Sequence, residues 1–331
     1  MTTPLLSTDP DEDHPAHTTS FECGAAFRTS LIWHASIRTH CLVFPAAAAE
    51  PPRQRLLVIV GNPGVCEFYY DFAQALHTQC DEKDEIVVVS HIGHCGQRVG
   101  GAFSLDDQVL HKRALLSALL GDSDDAQRIK RELNVSTAPG LPIVLAGHSI
   151  GAYICFKLAA AEPRVRRVLA LFPTFRNLRE GLIPLIRVAV LPGVRQTFAA
   201  LLGYLPNFVV SQLLHWSHGL SDETKYALSQ NICYDFINNV LYMAYTETLQ
   251  ITTVDPEVDR LFAADRGRLH FFYSPIDNYT PLHFVDELKQ QHPHLAERVH
   301  ITKNTIRHAF VLSNSNDVAT LLANNRCLDL K

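Results

Sequence analysis

The chain has 331 residues, 47% hydrophobic and 19% charged, with a formal net charge of −5 and a mean hydropathy of +0.02. That apolar fraction excludes a disordered chain, and 16 glycines, 18 prolines and 8 cysteines exclude collagen-like and disulfide-scaffold classes. The mildly acidic balance excludes a nucleic-acid groove, which would show basic excess.

Residues 1–20 carry Asp and Pro, with no basic start and no long apolar run. They do not make an ordinary signal peptide and suit a disordered tail. Residues 31–44 (LIWHASIRTHCLVF) read as an early strand pair. Apolar, β-branched runs then recur at 55–60 (RLLVIV), 86–90 (IVVVS), 141–146 (LPIVLA), 167–172 (RVLALF), 269–273 (LHFFY) and 298–302 (RVHIT). Nearly continuous apolar runs of this length suit strands buried on both faces of a parallel sheet. Between them lie helix-like segments at about 67–79, 106–120, 150–162, 281–291 and 314–324. The alternation predicts an α/β fold, a mostly parallel central sheet with helices on both faces.

One region breaks the alternation. Residues 174–268 are too long for a loop and are expected to form an inserted helical cap between core segments 21–173 and 269–331. The apolar surplus is concentrated at 181–216 (GLIPLIRVAVLPGVRQTFAALLGYLPNFVVSQLLHW). From Gln196 to Leu220 there is no Asp, Glu, Lys or Arg. A spanning helix needs about 20 apolar residues, and Arg187, Arg195, Pro206, Asn207, Gln212 and His215 break the run. A lid that enters a lipid surface fits better, with Arg187 and Arg195 held at the headgroups. The plain alternative is an ordinary buried cap helix pair. The eight cysteines (Cys23, Cys41, Cys66, Cys80, Cys95, Cys155, Cys233 and Cys327) have no CxxC spacing. They read as buried free thiols of a reducing compartment.

The strongest local signal is Gly147-His148-Ser149-Ile150-Gly151, a Gly-x-Ser-x-Gly string between a strand and a helix-like segment. A turn this sharp strains the central residue, and the flanking glycines remove Cβ clashes around it. The serine oxygen is thereby exposed above the sheet as a nucleophile. It needs a base and a carboxylate to orient that base. With this motif the chain order is Ser, acid, His. Asp277 lies on a turn just after 269–273, and His308 lies in a short loop after 298–302. Asp222, Asp235, Asp255 and Asp259 fall in the insertion, and His283, His292, His294 and His300 sit in or beside a helix or in the strand. The oxyanion donors expected are the backbone N–H groups of Ile150 and Asn62, the latter in the loop Val60-Gly61-Asn62-Pro63-Gly64. A phosphate-binding loop is the rival reading, but no Gly-Lys-Ser/Thr follows. His91 and His94 follow a strand end and are candidates for lining the site. No ligand set accompanies them, so no metal and no cofactor are expected.

These residues resemble the lipid droplet-associated hydrolases, a branch of the α/β-hydrolases. The resemblance rests on GNPGVCEFYYDF at 61–72, SHIGH at 90–94, FSLDDQVLHK at 103–112, GHSIGAY at 147–153, and YSPIDNYTP through HAFVL at 273–312. It covers the chain from about residue 30 onward. It implies a Ser149, Asp277 and His308 triad in an α/β-hydrolase fold. It also implies ester hydrolysis on neutral lipid, with sterol ester the usual assignment. The implied location is the cytosolic face of lipid droplets, with the endoplasmic reticulum second. Two other readings stay open: a droplet-surface protein that organises lipid stores without catalysis, and an acyltransferase or thioesterase using the same triad.

Overall fold

Strand residues alternate between two cores. Leu57 and Ile59 face one side of the sheet, with Leu116, Ile154 and Phe156. Leu56 and Val58 face the other, with Phe72, Leu76, Val318 and Leu322. This period of two, apolar on both faces, is what the runs in the sequence encode. The computed structural model describes residues 6–7, 26–33, 37–47, 51–182, 184–206, 208–210, 212, 225, 229, 231–325 and 327–329. The tail expected at 1–20, apart from 6–7, lies outside them, as does Cys23.

The strands are β1 (Leu6–Ser7), β2 (Phe27–Trp33), β3 (Ile37–Phe44), β4 (Arg55–Ile59), β5 (Glu85–Val89), β6 (Ile143–His148), β7 (Val165–Leu171), β8 (Leu269–Tyr273) and β9 (Val299–Ile301). They form one sheet in the order β1-β2-β3-β5-β4-β6-β7-β8-β9. β1, β2, β3 and β5 pair antiparallel, and from β5 to β9 every pairing is parallel. The order reverses at β4, which lies between β5 and β6. Ligand sites of such sheets form at that reversal, beyond the carboxyl ends of the strands.

The helices are α1 (Tyr70–Gln79), α2 (Leu105–Leu120), α3 (Asp124–Glu132), α4 (Ile150–Ala161), α5 (Leu178–Gly181), α6 (Pro184–Ala189), α7 (Val194–Gly203), α8 (Tyr234–Gln250), α9 (Pro256–Ala264), α10 (His283–Gln291) and α11 (Ser315–Asn324). α1 and α11 cover one face of the sheet, and α2, α3, α4, α9 and α10 cover the other. α3 was not marked by apolar periodicity. It is set by its ends: the Ser123 side chain accepts from Ala126 N–H, Asp124 and Asp125 open it, and Lys130 and Arg131 close it.

The stretch expected as a cap, 174–268, divides. Its last helix, α9, belongs to the body, because the Phe262 ring lies edge-on to Phe156 at 4.9 Å and to Phe271 at 5.4 Å. α5 to α8 lie beyond the strand ends. There α7 has two sides. Ala199 and Arg195 face inward against α8, and Arg195 is buried, contrary to a headgroup role. Its guanidinium lies 4.6 Å from the Tyr242 ring centroid, and its Nε donates to Asn238 Oδ1 at 2.9 Å. Val194, Phe198 and Leu201 face outward, beside Leu185 and Val188 of α6; Leu185 is 74% exposed and Leu201 68%. No described helix is long and apolar enough to cross a membrane. Cys41, Cys66, Cys80, Cys95, Cys155 and Cys327 are buried free thiols, and Cys233 is half-buried.

Candidate active site

The sharp turn after β6 creates the site. Ser149 has φ 55° and ψ −123°, a strained conformation for a residue with a side chain. Its neighbours allow it only because they lack Cβ atoms. A Cβ on Gly147 would come within 2.4 Å of Gly151 O, and one on Gly151 within 2.3 Å of Ile59 O. The chain then enters α4 at Ile150.

Two later strand ends bring up the partners of Ser149. Asp277 follows β8 and His308 follows β9. The Ser274 hydroxyl donates to Ile306 O and ties the two loops together. His308 Nε2 lies 2.9 Å from Ser149 Oγ, and its Nδ1 lies 2.6 Å from Asp277 Oδ2. The Asp277 carboxylate also accepts from Thr280 Oγ1 at 2.7 Å and from Tyr279 N–H at 2.8 Å. Burial works to raise its pKa. The bonds from His308, Thr280 and Tyr279, with the charge of His308, outweigh burial and hold it below the usual carboxylate value. An ionised Asp277 fixes the imidazole proton on Nδ1. Nε2 is then free to accept from the Ser149 hydroxyl.

The loop after β4 closes the other side. Its register puts Ile59 beside Gly147. A Cβ on Gly61 would lie 3.2 Å from Ser149 Cβ, so the backbone entering Asn62 passes against Ser149. Ile150 N–H, at the first position of α4, has no partner within its own helix. Among the described residues, neither it nor Asn62 N–H has a backbone acceptor. Both are free to meet an oxyanion.

The structure adds residues that sequence reasoning did not single out. Gly61 N–H donates to the Tyr69 hydroxyl at 2.7 Å, and that hydroxyl contacts His148 Nδ1 at 2.6 Å. His148 Nε2 lies 2.8 Å from His308 O. Because the His308 carbonyl can only accept, His148 Nε2–H donates to it, and Nδ1 of the neutral ring accepts from the Tyr69 hydroxyl. Burial, then the charge of His308, lowers the His148 pKa to about 3, so the ring is neutral, as this arrangement requires. His148 thus joins the 61–64 loop to the backbone of His308. Thr174 Oγ1 stands 3.5 Å from Ser149 Oγ. Tyr69 lay inside the FYY run at 68–70, so a signal for it existed; Thr174 and Glu247 had none.

His91 and His94, expected near the site, do not line the cavity. Both are fully buried behind the 61–64 loop. His94 Nδ1 accepts from Gly64 N–H at 2.9 Å, and a Cβ on Gly64 would come within 2.2 Å of the His91 ring. Burial, then the charge of nearby Lys112, lowers the pKa of both, that of His94 to about 3. They brace the loop from beneath as neutral rings. Several of the rival acids and histidines have other partners. Asp255 accepts from Tyr153 and lies beside Lys157, Asp259 meets His292 Nε2, and His294 meets Phe262 O. Asp222 lies outside the described residues.

Above the triad is a cavity of about 470 Å³, lined by Ser149, His308, Asn62 and Tyr69 and by apolar side chains that include Leu182, Ile186 and Leu241. Its far wall is α8, where Glu247 is buried among Val240, Leu241 and Ala244. A larger groove of about 710 Å³ between α1 and α11 is lined largely by polar residues and contains none of the triad.

A family model described as lipid-droplet associated hydrolase matches residues 52–311. A lipid droplet-associated hydrolase of Dictyostelium discoideum is 37% identical over 273 residues, 81% of this chain and 86% of that protein. The one from Gallus gallus is 28% identical over 280 residues, 82% and 84% of the two chains. The one from Homo sapiens is 23% identical over 343 residues, 96% and 97% of the two chains. Among solved structures, a haloalkane dehalogenase from Bradyrhizobium elkani aligns at TM-score 0.59 and 16% identity, covering 92% of this chain and all of that one. An epoxide hydrolase from Vigna radiata aligns at 0.59 and 15%, covering 92% and 99%. These structures share the fold, which is that of the α/β-hydrolases.

Proposed function

The chain belongs to the lipid droplet-associated hydrolase family, and from that premise we propose that it cleaves carboxylic esters of neutral lipids through an acyl-enzyme on Ser149. The observation that carries this reading is the unbroken chain from Ser149 Oγ to His308 to Asp277 on the floor of an apolar cavity. His308 Nε2 takes the proton of Ser149 as Oγ bonds to the acyl carbon. The carbonyl oxygen becomes an oxyanion and meets the N–H groups of Ile150 and Asn62. His308 then returns the proton to the leaving alcohol as the ester C–O bond breaks. Water repeats the sequence on the acyl-enzyme and releases the acid. Asp277 stays ionised throughout and stabilises the imidazolium.

The outward apolar face of α6 and α7 supports docking on the monolayer of a lipid droplet. Leu182 and Ile186, which line the cavity, lie at the edge of the same segment. A substrate moving from lipid into the site would therefore cross apolar surface throughout. The related proteins are named for droplet association, which supports the same location. Within neutral lipids, sterol ester is the class that the family resemblance implies.

The test uses purified protein on lipid droplets of defined composition, with sterol esters, acylglycerols and acyl-CoA as substrates. A fluorophosphonate probe should label the native chain and not Ser149→Ala. Equal labelling of the two would sink the assignment.

A further inference from the structure

Glu247 is a carboxyl that the triad does not use. It sits on α8, is buried, and lines the cavity. Asn62 Nδ2 donates to its Oε1 at 3.1 Å and to Val240 O at 3.0 Å. Its Oε2 has no hydrogen-bond partner among the described residues, and no Lys, Arg or His among them pairs with it. Burial raises its pKa to about 7, and the bond from Asn62 opposes that only in part. A carboxyl in such a place is costly to keep unless something satisfies it.

Holding Asn62 does not explain the residue. A glutamine would accept the same bond through its side-chain oxygen without the cost of a buried acid. What the acid adds is a second oxygen, next to the residue whose N–H faces the reacting carbonyl. Its neighbours on α8, Val240, Leu241 and Ala244, offer that oxygen no side-chain donor. In its ionised form, which prevails above pH 7, the carboxylate only accepts, so a donor has to arrive with the ligand, and the donor that a neutral-lipid ester can carry is a hydroxyl.

We propose that Glu247 Oε2 receives a hydrogen bond from a free hydroxyl on the alcohol part of the substrate, so that the site selects esters that keep one hydroxyl unesterified. Among neutral lipids these are partial acylglycerols. This rests on the ester-hydrolase reading above. It places partial acylglycerols ahead of triacylglycerols and sterol esters, which bring no hydroxyl to that oxygen.

The experiment compares a 1,2-diacylglycerol with its 3-O-methyl ether, equal in acyl chains, in the same emulsion. The values of kcat/KM are measured for native protein, Glu247→Leu and Glu247→Gln, with fluorophosphonate labelling as the check on folding and on Ser149. At about pH 8, where Glu247 is ionised, a bond from a hydroxyl to the charged acceptor gives native protein about a tenfold or greater preference for the free hydroxyl. Glu247→Leu should bring that ratio close to one. Glu247→Gln, which keeps the bond from Asn62, should lower it severalfold. A native ratio of one overturns the proposal. So does an equal loss on both substrates in Glu247→Leu, which would confine Glu247 to positioning Asn62. Native protein that is labelled and hydrolyses sterol ester but neither glyceride overturns the proposal and leaves the ester-hydrolase reading standing. Native protein that is not labelled at Ser149 overturns both.

Discussion

Tyr69→Phe removes one oxygen atom and tests whether the oxyanion loop is held from below. The phenylalanine ring keeps the volume and the edge-on contact with Phe310, whose centroid lies 6.4 Å away. What is lost is the bridge at 2.7 Å to Gly61 N–H and at 2.6 Å to His148 Nδ1. Both groups are then buried without a partner, and each such group costs about 1–3 kcal/mol. Together they predict a loss of roughly 2–6 kcal/mol, which in a chain of 331 residues lowers Tm by about 3–9 °C. The kinetic effect runs through geometry. Gly61 leads directly into Asn62, so a loosened Gly61 misplaces the Asn62 N–H. Complete loss of one oxyanion donor lowers kcat about 10²–10³-fold. Partial misplacement should lower it by about tenfold. Thermal unfolding and the rate of fluorophosphonate labelling at Ser149 read the two effects separately. A variant with native Tm and native labelling rate would refute the claim that this hydroxyl holds the loop.

Asp277→Asn should keep the fold yet lower kcat by about 10⁴-fold, since an amide no longer fixes the imidazole proton on Nδ1; steady-state kinetics showing less than a tenfold loss would remove Asp277 from its role. Gly151→Ala places a Cβ 2.3 Å from Ile59 O and 2.6 Å from Val60 O, both backbone atoms that cannot swing away. It should destabilise the chain by at least about 1–3 kcal/mol, and an unchanged melting curve would contradict that packing. The Glu247 pKa is raised to about 7 in the folded chain, above an unfolded value of about 4.3. Its contribution is therefore fully present below the unfolded value and is lost as pH rises through 7. Glu247→Gln lacks that loss, so its unfolding free energy relative to native should improve between about pH 4.5 and 7, by up to about 3 kcal/mol. Denaturant titrations that give a pH-independent difference would refute the buried acid. Leu185→Asp with Leu201→Asp should reduce flotation with lipid droplets while changing stability by less than about 1 kcal/mol, because both side chains point to solvent; unchanged flotation would take the docking face elsewhere.

The strands and the triad candidates were legible because each rests on a local rule. A strand buried on both faces has to be almost continuously apolar, and RLLVIV, LPIVLA and LHFFY are, with Arg55 and His270 the exceptions. A serine on a strained turn needs glycine on either side, and the clashes at Gly147 and Gly151 give the distances behind that rule. Asp277 and His308 could be read because this chain order fixes which strand ends they follow. Signals that depend on direction were less legible. Arg195 has the same local sequence whether it points to lipid or to protein; only the place of Tyr242 and Asn238 on α8 turns it inward. His91 and His94 follow a strand end, where site residues gather. The loop that passes over them takes the exposed position instead, and Gly64 packs on His91 so closely that no side chain fits between.

Glu247 shows what lies beyond local reading altogether. In the sequence it is one acid in a long amphipathic segment, four residues before Ile251, and the ordinary place for such an acid is solvent. Its surroundings come from far along the chain, since Asn62 is 185 residues away. Burial in an apolar wall changes its chemistry more than its identity does. The same carboxyl that would be ionised and hydrated on a surface is here half-neutralised near pH 7, holds the Asn62 side chain with one oxygen, and offers the other to the cavity. A substrate class can be argued from that arrangement because a buried polar group makes demands on its ligand that an apolar wall does not.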